Sequence, residues 1–241
     1  TGNSPHSDNL LWPFQNLNRS LANEKPQLAL HCLDIHDFTV DSTLVSILSN
    51  LDEPSPILSL KNNQLYTLDV VSKEVGTPQQ AMEWRSEHFT VIAGLGAVGL
   101  GLAEWLVEKG CDKLVIIVRQ DLNEQQEALI QSLKSQEVTV HVLQASLVEE
   151  HALSAAFDAL DVTVSRVFHT AHAGTHKLHP LDDSSAFEGS LPVKLIGSMN
   201  LHRVFENQPL ELFCMFTSLS SMMAISGTSG YATANAWQDS Y

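Results

Sequence analysis

From Phe89 onward the chain alternates between short, strongly apolar runs and longer stretches in which apolar residues recur every three or four positions. The runs FTVIA, LVIIV, VTVHVLQAS, SRVFHTA and ELFCMFTS predict strands. The stretches GLAEWLVEKG, EQQEALIQSLKSQ, EEHALSAAFDAL and VKLIGSMNLHRVF predict the helices between them, the first closed by Gly110. Strands alternating with helices of this length point to an α/β fold with a doubly wound parallel sheet. LVIIV, apolar at every position, suits a strand covered on both faces.

Upstream the pattern is looser. LLWPFQNLNRSLA predicts a short helical segment, LALHCLDI a strand, VDSTLVSILSNL a helix, and PILSLKNNQLYTLDVV two strands around Asn62 and Asn63. KEVGTPQQAMEWRSEH is polar and turn-rich, the composition of a linker. The expected organisation is a smaller domain over residues 1–73, a linker over 74–88 and the α/β domain over 89–241.

Composition adds limits. With 241 residues, 44% of them hydrophobic and 17% charged, the chain has enough apolar content for a core. A net charge of −15 argues against general nucleic-acid binding, because no Lys/Arg stripe is present to neutralise phosphates. A phosphorylated cofactor stays open, since it needs only one local cation and a helix N-terminus. Cys32, Cys111 and Cys214 stand at unrelated spacings, which fits buried thiols in a reducing compartment. No apolar run approaches the roughly 18 residues of a membrane span, and the first residues lack the basic and apolar parts of a signal peptide. The cytoplasm is the expected location.

The chemistry starts at GLGAVG, which runs Gly94, Leu95, Gly96, Ala97, Val98, Gly99 and matches G-x-G-x-x-G after a strand and before a helix. Glycines there permit a tight turn and let backbone approach a pyrophosphate at the helix N-terminus, although any strand-to-helix turn can collect glycines for packing. An NAD site usually carries an acidic residue about 20 residues on. Here the second strand runs into Arg119, whose guanidinium suits a 2′-phosphate, so the expected cofactor is NADPH.

Near the end, SGYATANAWQDSY puts Tyr231 and Asn235 four residues apart on one helix face. Ser218 lies thirteen residues before Tyr231, at the end of a strand, and Lys194 twenty-four residues before Ser218, in a helix. Singly these read as a core tyrosine, a turn serine, a snorkelling lysine and a capping asparagine. Jointly they resemble the catalytic set of ketoreductase domains. That resemblance implies that Tyr231 protonates the developing alkoxide, Lys194 stabilises the phenolate, Ser218 hydrogen-bonds the carbonyl oxygen, and Asn235 orients Lys194 or a relay water.

These landmarks resemble the ketoreductase domains of modular polyketide and fatty-acid synthases, within the short-chain dehydrogenase/reductase superfamily. RSLANEKPQLALHCLDI and ILSLKNNQLYTLDVV look like parts of that family's structural subdomain, a smaller truncated Rossmann-like unit. GLGAVGLGLAEWLVEKG, FHTAHAG, LPVKLIGSMNLH, FTSLSS and GYATANAWQDS look like landmarks of its catalytic, Rossmann-like subdomain. The exchange of lysine and asparagine relative to ordinary superfamily members is present here as Lys194 and Asn235. The resemblance implies reduction of a β-keto thioester borne on the phosphopantetheine arm of an acyl carrier protein, with neighbouring synthase domains as further partners.

Several positions depart from the family. Ile92 and Ala93 replace a Thr-Gly pair, which removes a turn-stabilising hydroxyl and sets a methyl against the phosphate approach. Ser146 replaces the aspartate that contacts adenine, and His172 the glycine near the nicotinamide ribose. The Leu-Asp-Asp stereochemical marker is absent from Gly174, Thr175 and His176; the LDD at Leu181–Asp183 is a coincidence. Met223 replaces the alternative marker tryptophan, so the configuration of the product is not assigned. The chain ends inside the Tyr231 helix, where the family continues through another strand and a lid, so the catalytic subdomain is expected to be C-terminally incomplete. His169, His172, His176 and His179, with Asp182 and Asp183, have zinc-ligand types, yet Gly174 and Pro180 break any helical face, and no metal is expected. Two readings stay open: an NADPH-dependent reductase, or a cofactor-poor, ketoreductase-like domain with a structural role in a megasynthase.

Overall fold

The structure, a computed structural model, describes residues 11–28, 30–35, 42–49, 58–62, 64–67, 71–74, 76, 83–84, 87–173, 185–223 and 225–241. In chain order the elements are α1 (Leu11–Glu24), β1 (Leu33–Ile35), α2 (Ser42–Ser49), β2 (Leu58–Lys61), β3 (Gln64–Thr67), β4 (Phe89–Ala93), α3 (Ala97–Glu108), β5 (Lys113–Val118) and α4 (Glu124–Ser135). They continue as β6 (Thr139–Gln144), α5 (Glu150–Leu160), β7 (Val164–His169), α6 (Ser185–Glu188), α7 (Ser190–Phe205), β8 (Leu212–Met215), a 3-10 turn at Leu219–Ser221, and α8 (Ser229–Ser240).

Contacts divide the chain into two units. One holds residues 78–174 and 190–216; the other holds 1–77, 175–189 and 217–241. This grouping by contacts is distinct from the organisation expected along the sequence, 1–73, 74–88 and 89–241. The physical reason lies at the C-terminal end: α8 packs against α1, so residues 217–241 group with the start of the chain.

In the unit of residues 78–174 and 190–216, five parallel strands stand in the order β6-β5-β4-β7-β8, a Rossmann-like sheet. The period-two alternation of side chains sorts each strand between two apolar clusters. Ile92, Leu114 and Ile116 enter one, with Leu129 and Leu133 of α4; Val91, Ala93, Val115 and Ile117 enter the other, with Leu153 of α5 and Leu201 of α7. Both faces are covered, as the unbroken LVIIV run required. The helix α4 begins with a capping box, in which Asn123 and Gln126 each accept from the other's backbone N–H. Winding starts at β4 and proceeds outward both ways, so the ends of β4 and β7 flank the switch point where such sheets take ligands.

In the other unit, β1 pairs parallel with β2, and β2 antiparallel with β3 across a hairpin in which Asn62 takes the left-handed region at φ 51°. The helix α8 packs on α1, on α6 and on the 3-10 turn. Among the described residues no helix is long and apolar enough to cross a membrane, and Cys32, Cys111 and Cys214 carry free thiols.

Candidate functional site

The glycine turn occupies the end of β4. Gly94 sits at φ 109°, a conformation other residues rarely adopt, and an added Cβ would meet Ala171 Cα at 2.5 Å. Its N–H donates to the Ile117 carbonyl of β5 at 3.0 Å. At Gly99 a Cβ would run into the Gly94 carbonyl oxygen. Thr170, one residue past β7, closes the turn from the side: its hydroxyl donates to the Gly94 carbonyl at 2.6 Å and lies 3.2 Å from that of Ala93.

One expectation at this turn needs correction, and the side chain of Leu95 takes no part in the turn's open face. Ala93 is fully buried within an apolar cluster, so its methyl does not stand in the approach to the turn. Leu95 is 3% exposed; its side chain belongs to the core, and its carbonyl already accepts from Gln126 Nε2 at 2.7 Å. Gly96, Ala97 and Val98 are exposed, and Gly96 is the N-cap of α3, with no side-chain cap bond to the first-turn N–H groups. Helix N-termini of this kind favour anions. Arg119, exposed and one residue past β5, has no ion pair among the described residues. These features fit the phosphates of a dinucleotide.

Ser146 is half-buried two residues past β6, and its carbonyl accepts from the Glu149 N–H. His172 is exposed, with Nδ1 at 3.4 Å from Ser190 Oγ, and Ser190 donates to the Ala173 carbonyl. The ring that replaces a glycine is therefore drawn toward the start of α7.

Lys194 in α7 is 3% exposed and donates from Nζ to the Phe216 carbonyl at 2.7 Å. His169 is fully buried at the end of β7, and its Nε2 lies 3.2 Å from the carbonyl of Val193, the residue before Lys194. Burial first, and then the Lys194 ammonium, hold this imidazole down to about 4. His169 therefore stands neutral as an anchor between β7 and the turn of α7 that carries the lysine. Its sequence signal was the histidine at the end of SRVFH, which was grouped with possible metal ligands. Among the described residues no group of His, Cys, Asp or Glu is arranged to hold a metal ion; His176, His179, Asp182 and Asp183 lie outside them, as do Gly174, Thr175 and Leu181.

Ser218, Tyr231 and Asn235 belong to the other unit. Ser218 caps the 3-10 turn, and its Oγ accepts from the Ser220 N–H at 3.2 Å, which leaves its own O–H free to donate elsewhere. Asn235 is fully buried in α8; its Nδ2 donates to the Tyr231 carbonyl at 2.7 Å, while Oδ1 has no partner among the described residues. Tyr231 is half-buried in the first turn of the same helix. The described contacts thus join Gly94, Gly99 and Thr170, then His169 with the Lys194 turn, and separately Tyr231 with Asn235.

The family model of the KR domain matches residues 88–241. The chain belongs to the KR-domain family. This ketoreductase domain is similar to part of 5-methyl-1-naphthoate synthase of Streptomyces sahachiroi, with 28% identity over an alignment of 246 positions that covers 94% of this chain and 14% of that protein. The chain spans about a seventh of the length of the curated relatives it matches along most of its own length. Among solved structures it is similar to a ketoreductase domain from the bacillaene assembly line, with a TM-score of 0.81 and 20% identity, covering 96% of this chain and 57% of that one. It is also similar to a gluconate 5-dehydrogenase of Burkholderia cenocepacia solved with NADP and tartrate, with a TM-score of 0.53 and 20% identity over 64% of this chain and 62% of that one. At these identities the likeness concerns the fold. The turn at Gly94 has the positive φ and close backbone packing of a tight strand-to-helix turn.

Proposed function

We propose that the chain is the ketoreductase domain of a polyketide synthase and reduces the β-keto group of an acyl thioester to a β-hydroxy group with NADPH. The observation that carries this reading is the Thr170–Gly94 hydrogen bond at 2.6 Å, which keeps the dinucleotide turn in order although Ile92 and Ala93 depart from the family. Gly94, Gly96, Ala97, Val98 and Gly99 would hold the pyrophosphate through backbone, as would the N–H of Leu95. Arg119 would take the 2′-phosphate, and Ser146 and His172 would line the adenosine and nicotinamide ends.

NADPH, when bound, supplies the hydride. Tyr231 donates its hydroxyl proton to the ketone oxygen as charge develops there. Lys194 stabilises the phenolate left behind. Ser218 donates its free O–H to the same carbonyl oxygen, a role supported by the Ser220 N–H that already occupies its Oγ as acceptor. Asn235, with Nδ2 engaged at the Tyr231 carbonyl, offers Oδ1 to Lys194 or to a relay water.

In this reading residues 89–241 are the catalytic subdomain, 1–73 the structural one and 74–88 the link. The substrate arrives on an acyl carrier protein within a larger synthase, and three free thiols agree with a reducing cytoplasm. The second reading, a cofactor-poor structural domain, rests on His172 at the glycine position. Titration of NADPH fluorescence, followed by turnover of a β-keto thioester, separates the two. Micromolar binding with reduction is expected; no detectable NADPH binding overturns the enzyme reading.

A further inference from the structure

The buried face of α1 is polar. Gln15, Asn16 and Ser20 are 5%, 1% and 0% exposed, whereas Phe14, just before them, is 62% exposed. A helix ordinarily buries its apolar stripe. Here one buried side chain meets backbone: Asn16 Nδ2 donates to the Ser220 carbonyl at 3.2 Å and to that of Ser221 at 2.5 Å. Those residues form the 3-10 turn that Ser218 begins, where Ser221 N–H donates to the Ser218 carbonyl and Ser220 N–H to Ser218 Oγ. Ser218 thus ties one side of the turn and Asn16 the other. Two turns further along α1, the Glu24 carboxylate accepts from the Gly227 N–H at 2.9 Å, so the same helix grips both ends of the segment between Ser218 and α8.

We propose that Asn16 is a positioning residue for Ser218, fixing through the Ser220 and Ser221 carbonyls the turn that aims the serine hydroxyl. The proposal rests on the reductase reading above for its catalytic consequence. It makes α1 a working part of the candidate site, although the family match begins only at residue 88. Asn16 Oδ1 is buried with no partner among the described residues, a cost in stability that packing alone would remove by using an apolar residue. The amide is explained by the two carbonyls it holds.

The test compares Asn16→Ala and the isosteric Asn16→Asp with Ser20→Val, a substitution one helical turn away at a buried position whose hydroxyl makes no bond to the loop. Hydrogen exchange of residues 219–223 and steady-state reduction of a β-keto thioester are both read. Either Asn16 variant is expected to speed exchange in that turn and to lower kcat about tenfold, the effect of losing roughly one well-formed hydrogen bond in the transition state, with NADPH affinity unchanged. Ser20→Val is expected to lower the melting temperature while leaving kcat and the exchange of the turn alone. Unchanged exchange at 219–223 in both Asn16 variants overturns the proposal, as does a kcat loss no larger than that of Ser20→Val. If the unsubstituted protein reduces no keto thioester, the reductase reading fails, and exchange alone then decides whether Asn16 holds the turn.

Discussion

The Thr170 hydroxyl donates to the Gly94 carbonyl at 2.6 Å, tying the residue after β7 to the turn after β4. The two strands are parallel neighbours, with Ala93 opposite His169, so the next residue on β7 is in register to reach the turn. Thr170→Val keeps the shape and removes the donor, leaving the Gly94 carbonyl short of a partner. That costs about 1–2 kcal/mol, or about tenfold in NADPH affinity. Thr170→Ser should retain most of the affinity in the same fluorescence titration.

The glycines of the turn separate stability from binding. A methyl at Gly99 collides with the Gly94 carbonyl, so Gly99→Ala should cost about 1–3 kcal/mol of stability and weaken NADPH as well. A methyl at Gly96 meets nothing within 4 Å and occurs at φ −76°, which alanine adopts freely. Gly96→Ala should therefore melt like the unsubstituted protein yet bind NADPH more weakly, because the methyl stands where the backbone would approach the pyrophosphate. Parallel thermal melts and titrations check both.

Tyr231→Phe removes the proposed proton while the ring keeps its half-buried place in α8. The expected loss in kcat is about 10²–10⁴-fold, with NADPH affinity unchanged. Reduction of a keto thioester, followed through the absorbance of the reduced nicotinamide, provides the readout.

The five-strand sheet was readable because each strand is an apolar run and each connection a helix, a local pattern that needs no knowledge of partners. The glycine turn was equally local. The pairing of α8 with α1 was not, because it joins segments across most of the chain and no local pattern records it. The same limit hid Thr170, whose partner lies 76 residues away, and Asn16, whose carbonyls lie 204 and 205 residues away. At Asn16 the hydrophobic pattern also misled, since α1 exposes Phe14 and buries its amides. Ala93 was read as an obstacle because its direction depends on the pleat, and the pleat turns it into the core.

Neutral His169 makes stability depend on pH. The unfolded imidazole titrates near 6.5 and the folded one near 4, so between these values the unfolded chain binds the extra proton. The contribution is whole above pH 6.5 and is lost as pH falls toward 4, about 3 kcal/mol in all for a fully buried ring. Urea midpoints measured from pH 7 to 4 should fall more steeply for the unsubstituted protein than for His169→Gln. The glutamine keeps a donor for the Val193 carbonyl but takes up no proton.

Cofactor preference should follow Arg119. It stands one residue past β5, exposed, beside the strand that leads into the glycine turn, and no described carboxylate pairs with it. A guanidinium in that place distinguishes NADPH from NADH only through the 2′-phosphate, since the remainder of the two cofactors is the same. Arg119→Ala should therefore weaken NADPH by about tenfold while leaving NADH unaffected, consistent with roughly 1.4 kcal/mol for a partly solvated charge-assisted contact. The NADPH difference should shrink as salt rises, because an exposed guanidinium is screened over about 8–10 Å at 0.1–0.15 M. If Arg119→Ala changes both cofactors equally, the arginine acts on the turn or on the fold and not on the phosphate.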